Sequence, residues 1–129
     1  MDGGIRGPMN RSRIRLAVKY GPTQQKHMTD YSVNISSGGV FIATDKVLPE
    51  NTPLFVEYQL PGSAKPIICK AKVAWVNDPE QLKSARLPPG MGLQFFSLSR
   101  ENLEELRKFL NSGVSAVATN QEYGEVDSA

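Results

Sequence analysis

The chain has 129 residues, 40% hydrophobic and 22% charged, with a formal net charge of +2. That is the composition of one globular domain with a core large enough to stand without cross-links. One cysteine, Cys69, and one histidine, His27, exclude a disulfide framework and a Cys/His zinc cluster, and no apolar run reaches the roughly 20 residues of a membrane span.

Residues 1–10 hold Gly3, Gly4, Gly7 and Pro8 with few large apolar groups, which predicts a flexible arm. Met1-Asp2-Gly3-Gly4 lacks the apolar stretch of a signal peptide, so a cytoplasmic protein is expected. Ile14 to Tyr20 alternates as a half-buried strand does, until Gly21-Pro22 breaks it. A second strand is expected near His27 to Asn34. Ser36-Ser37-Gly38-Gly39 then reads as a tight turn, because paired glycines allow positive φ. Val40 to Thr44 is a third, short strand.

Pro49 to Pro53 is a loop, and alternation resumes from Leu54 to Leu60, with Leu54, Val56, Tyr58 and Leu60 on one face. After the turn Pro61-Gly62-Ser63, the longest strand is expected from Ile67 to Val76. Cys69, Ala71, Val73 and Trp75 would share its apolar face, opposite Lys70 and Lys72. Asn77 to Gly90, with Pro79, Pro88 and Pro89, is a loop, and Met91 to Phe96 a sixth strand with Leu93 and Phe95 on one face. The period then changes. Ser99 can cap a helix with Glu101 in its first turn, and Leu103, Leu106 and Leu110, helped by Phe109, form one apolar stripe up to a stop at Gly113. Six short strands and one helix predict a small antiparallel barrel with the helix on it or across an open end. Residues 113–129 read as a disordered tail.

Charge is unevenly placed. Arg6, Arg11, Arg13, Arg15 and Lys19 stand against Asp2 in residues 1–20, while residues 113–129 carry Glu122, Glu125 and Asp127 and no basic residue. A basic beginning on a nearly neutral body predicts an anionic partner there.

No catalytic constellation is visible. His27 has no evident nucleophile partner, Cys69 and Trp75 read as core, and neither a phosphate-cradling P-loop nor a dinucleotide fingerprint occurs. No enzyme, metal or cofactor is expected. Two features do stand out: the cluster Arg11-Ser12-Arg13-Ile14-Arg15 and the run Asn34-Ile35-Ser36-Ser37-Gly38-Gly39. An arginine fork pairs with phosphate or the guanine O6/N7 edge and stacks on purines. Asn and Ser add short polar groups, and glycine admits close backbone approach. The combination suits a guanine nucleotide bearing phosphates. A single-strand nucleic-acid binder fits less well, because Phe41, Phe55, Trp75, Phe95 and Phe96 are mostly explicable as core rather than as exposed stacking platforms.

In order, these residues resemble the PilZ domain, the bacterial receptor module for cyclic di-GMP. Arg11 and Arg15 match its R-x-x-x-R motif, and Asn34, Ser36 and Gly39 match [DN]-x-S-x-x-G. Similarity continues through Gly38 to Thr44 and Gly90 to Phe95 into the helix, about residues 11–110 in all. In a second register, set by the strand that follows, Arg11 is the second arginine of the motif. The first then falls on Gly7, with Arg6 beside it. The resemblance implies a six-stranded antiparallel barrel with a C-terminal helix over residues 11–112. It implies cyclic di-GMP as ligand, bound through Arg11, Arg15, Asn34, Ser36 and Gly39, with Arg6 as the alternative arginine. The expected partner is an effector protein that reads a ligand-ordered arm in motility, surface behaviour or development. No DNA or RNA is expected, and the chain would be a monomer or weak dimer. The alternative is a PilZ-fold interaction module that binds a protein and no nucleotide.

Overall fold

The computed structural model describes residues 11–112, so the expected flexible arm 1–10 with Arg6, the stop at Gly113 and the tail 113–129 lie outside the described residues. Strand alternation organises what is described. β1 (Arg11–Arg13), β2 (Ala17–Gly21), β3 (Met28–Ser36), β4 (Gly39–Ala43), β5 (Pro53–Tyr58), β6 (Ile67–Asn77) and β7 (Gly90–Phe95) precede helix α1 (Arg100–Ser112). On β5, Leu54, Val56 and Tyr58 are buried, and on β6 Ile67, Cys69, Ala71 and Val73 are buried while Ile68, Lys70 and Lys72 face out. Period 2 therefore divides inside from outside, as expected.

The strands run antiparallel in the order β3-β2-β5-β6-β7-β4, and β4 returns to pair with β3, closing a six-stranded barrel. β1 is a three-residue addition that pairs only with β3, Arg11 opposite Ser36 and Arg13 opposite Asn34. The expected strand Ile14 to Tyr20 thus begins only at Ala17, and a separate piece, β1, precedes it along the same neighbour. The cause is Ser32: its hydroxyl donates to the Ile14 carbonyl and accepts the Leu16 amide at 2.8 Å. A side chain there does the work of the ladder, while Ile14 and Leu16 stay inside.

Ser99 caps α1, its hydroxyl accepting the Asn102 amide at 3.0 Å. Leu106, Phe109 and Leu110 join the core cluster that the barrel strands build, which includes Tyr58 stacked on Phe95 with ring centroids 5.8 Å apart. A helix reaches the interior of a closed barrel only at an open end, so α1 is the plug.

Three ionisable groups are buried with the core. Burial raises the Tyr20 phenol above its ordinary value of 10.0, helped by its 2.6 Å hydrogen bond to Asp30. Burial likewise raises Tyr58, with Cys69 adding, and pushes the Cys69 thiol from 9.0 up to about 12. The unfolded chain sheds these protons from pH 9 to 10 upward while the folded chain keeps them, so their contribution to stability is complete below that range and lost as pH rises through it. The urea midpoint is expected to hold level on the neutral side and to fall steadily above about pH 9–10. A level midpoint up to pH 11 would contradict the burial of these three groups.

Candidate ligand-binding site

The end of β3, the turn after it and the start of β4 bring Asn34, Ser36, Gly38, Gly39 and Phe41 onto one wall of an open cavity of about 470 Å³. Trp75 of β6, Gly92 and Gln94 of β7, and Leu87 of the loop between those strands complete it. Volume and mixed polar and aromatic lining suit a small-molecule ligand.

Ser36 is fully buried, and its hydroxyl accepts the Gly38 amide at 3.2 Å and donates to the Gly39 carbonyl at 3.4 Å. It therefore holds the turn in shape. The glycine at 39 serves a different purpose from the expected one. Among the described residues only Gly62 is a glycine with positive φ, whereas a Cβ at position 39 would lie 2.1 Å from the Leu93 carbonyl oxygen. Close approach of β4 and β7 is what demands it.

Trp75 was expected in the core and is not there. The β6–β7 register shifts between Val73 and Trp75, a one-residue irregularity that reverses strand parity and turns the indole outward, half-buried. It lies beside Phe41, centroids 5.3 Å apart and planes tilted by 33°, and over Gly92, where a Cβ would come within 2.3 Å of the indole Nε1. Phe41 is buried but stands apart from the barrel core. Of the pair only the indole is part exposed, so Trp75, braced by the buried Phe41, is the aromatic surface on the outside of the barrel. Two other aromatics also lie off the interior: Phe96, 55% exposed, follows the buried Phe95 and faces out, and Phe55 lies half-buried on the outer face of β5. Of the five, Phe95 alone belongs to the barrel core cluster.

The motif positions are thus only partly assembled. Asn34, Ser36 and Gly39 line the cavity. Arg11 is placed by its backbone opposite Ser36, and Arg13, which the motif reasoning passed over, stands exposed opposite Asn34. The Arg15 guanidinium sits 3.8 Å from the ring centroid of Tyr31, a residue outside the cavity lining. Arg6 lies outside the described residues. Trp75, Phe41, Leu87 and Gln94 were missed as site residues. The one available signal was the apolar run Val73-Ala74-Trp75-Val76, which breaks the alternation before it. His27 is exposed and away from the cavity, and no cluster of metal-ligating side chains occurs among the described residues. No helix among them is long and apolar enough to cross a membrane.

The family model of the PilZ domain matches residues 10–112. Among solved structures, the chain is similar to the Bacillus subtilis inhibitor of motility MotI (DgrA), at 22% identity and TM-score 0.65 over 82% of this chain and 50% of that one. It therefore spans about half the length of MotI. The PilZ domain of Escherichia coli YcgR, solved with c-di-GMP, gives 13% identity and TM-score 0.57 over 96% and 98% of the two chains. The PilZ domain of CeSA from a cellulose-synthesizing bacterium gives 12% identity and TM-score 0.50 over 78% and 93%. These identities speak to the fold alone. No curated protein matches the sequence.

Proposed function

Because the chain belongs to the PilZ domain family, we propose that the outer cavity binds cyclic di-GMP and that the bound form signals to a partner protein, in the cytoplasm and as a monomer or weak dimer. The observation that carries this reading is the convergence of Asn34, Ser36 and Gly39 with the Trp75–Phe41 pair in one cavity, beside the strand that starts at Arg11.

Cyclic di-GMP brings two phosphates and two guanines, and so needs cations, hydrogen-bonding forks and flat partners together. Arg11 and Arg15, with Arg6 as the alternative, would supply charge and forks to phosphate and the guanine Hoogsteen edge. Asn34 would bond base or phosphate, Ser36 would hold the turn in shape, Gly39 would let β4 seat against β7 beside the ligand, and Trp75 would stack. β1 is tied to the barrel by three residue pairs with β3. Ligand contacts from the preceding arm, residues 1–10, would order that segment over the cavity and present a new surface to an effector.

Calorimetric titration with cyclic di-GMP, with cyclic di-AMP and GTP as controls, tests the reading. Micromolar or tighter binding selective for cyclic di-GMP is expected. Absence of heat, together with unchanged amide chemical shifts, overturns it and leaves the second reading, a protein-docking module. The engagement of Arg15 with Tyr31 outside the cavity favours that second reading. Trp75→Ala is expected to weaken binding by about 1–3 kcal/mol, the worth of one base stacked on an aromatic ring. Unchanged affinity in the same titration removes Trp75 from the site.

A further inference from the structure

We propose that Asn77 is a positioning residue that fixes the loop wall of the cavity, and so sets the shape in which the ligand is received. This rests on the reading of the cavity as the ligand site. Asn77 ends β6, two residues beyond Trp75, and is fully buried. Its Nδ2 has the carbonyls of Ser84, Leu87 and Pro88 at 3.0, 3.2 and 3.0 Å, and its Oδ1 accepts the amides of Lys83 and Ser84 at 2.8 and 2.9 Å.

One side chain thus gathers the middle and end of a long connection, residues 78–89, whose other ties are few. Asp78 bonds within the loop to Glu80 and Gln81. Lys83 pairs with Glu50 at 3.3 Å with both groups well exposed, a contact worth little. Pro89 accepts the Thr44 amide only at the very end. Apolar burial cannot hold this loop either, since most of residues 78–88 are exposed. Yet it delivers Leu87 to the cavity that Trp75 also lines. The amide is chemically specific: the nitrogen end meets only acceptors and the oxygen end only donors. A carboxylate of the same shape would set an oxygen against three carbonyls.

The test uses the full chain with Asn77→Asp and Leu87→Ala. Trp75 is the single tryptophan of the sequence, so acrylamide quenching of its fluorescence reads the cavity before any ligand is added. In Asn77→Asp, quenching is expected to rise clearly above wild type while the far-ultraviolet circular dichroism of the barrel is retained. Affinity for cyclic di-GMP is expected to fall about tenfold in both variants, equivalent to 1.4 kcal/mol. Wild-type quenching in a folded Asn77→Asp protein, or wild-type affinity in Leu87→Ala, overturns the proposal. Should Asn77→Asp not fold, Leu87→Ala alone decides, because it removes the wall without touching the amide's bonds. Should wild type bind no cyclic di-GMP, the reading of the site falls and the quenching comparison still decides what Asn77 does.

Discussion

Gly39→Ala is expected to cost about 3 kcal/mol or more of stability, at the upper end of what overpacking does. The obstacle is backbone: the new methyl would lie 2.1 Å from the Leu93 carbonyl oxygen and 3.3 Å from the Gln94 Cα. Neither atom can move without parting β4 from β7, the pair whose register Gly39↔Gln94 to Ala43↔Gly90 completes one side of the barrel. Urea unfolding measures the loss, and a midpoint within error of wild type would mean the two strands separate at little cost. Gly92→Ala offers the informative contrast. There the nearest atoms, 2.3 to 3.2 Å away, belong to the indole of Trp75, a side chain that can swing off the surface. Its main effect is therefore expected on ligand affinity, with a smaller loss of stability.

Arg11→Ala is expected to lower cyclic di-GMP affinity at least tenfold, about 1.4 kcal/mol. Arg11 stands on β1 opposite Ser36, in register with the turn that shapes the cavity. A guanidinium recognising phosphate or a guanine edge contributes on the order of 1–3 kcal/mol when bidentate. Arg15 separates the two possible registers of the arginine motif. Its guanidinium rests on Tyr31 at 3.8 Å, so reaching the ligand means giving up a contact worth about 0.5–1 kcal/mol at an exposed site. If Arg11 and Arg15 are the working pair, Arg15→Ala also loses at least about tenfold, and Tyr31→Ala tightens binding by freeing the arginine. A tenfold loss at Arg11 with less than twofold at Arg15 makes Arg11 the second arginine and directs attention to Arg6. A change below twofold at both removes the arginine pair from the ligand site altogether.

What was legible in the sequence is what depends on local period. The faces of β5 and β6 up to Val73 and the cap at Ser99 follow from spacing alone, and the structure has them so; of the helix stripe Leu103, Leu106, Phe109 and Leu110 it buries the last three and leaves Leu103 half-buried. Asn34, Ser36 and Gly39, singled out only through family resemblance, line one cavity. What escaped was set at long range. The break between β1 and β2 is made by Ser32, sixteen to eighteen residues downstream of the groups it bonds. The outward turn of Trp75 comes from a register shift against β7, and the need for glycine at 39 comes from Leu93 on that same strand. Asn77 reads in the sequence as the first residue of a loop, just past the strand expected to end at Val76; its contacts reach six to eleven residues ahead and leave no periodic trace.

The pairing of β4 with β7 also governs how this protein comes into being. β4 must wait for a partner about fifty residues further along the chain, and closing so distant a pair is slow because the loop entropy is lost before the contacts form. During synthesis, at roughly 5–20 residues per second, the ring cannot shut until Phe95 has left the ribosome. Until then β4 and β6 each present an unpaired edge, the kind of surface to which other nascent chains add strands. The span between those two moments is when the molecule is most exposed to aggregation, and Gly39, by letting β7 seat against β4, is the residue on which its end depends.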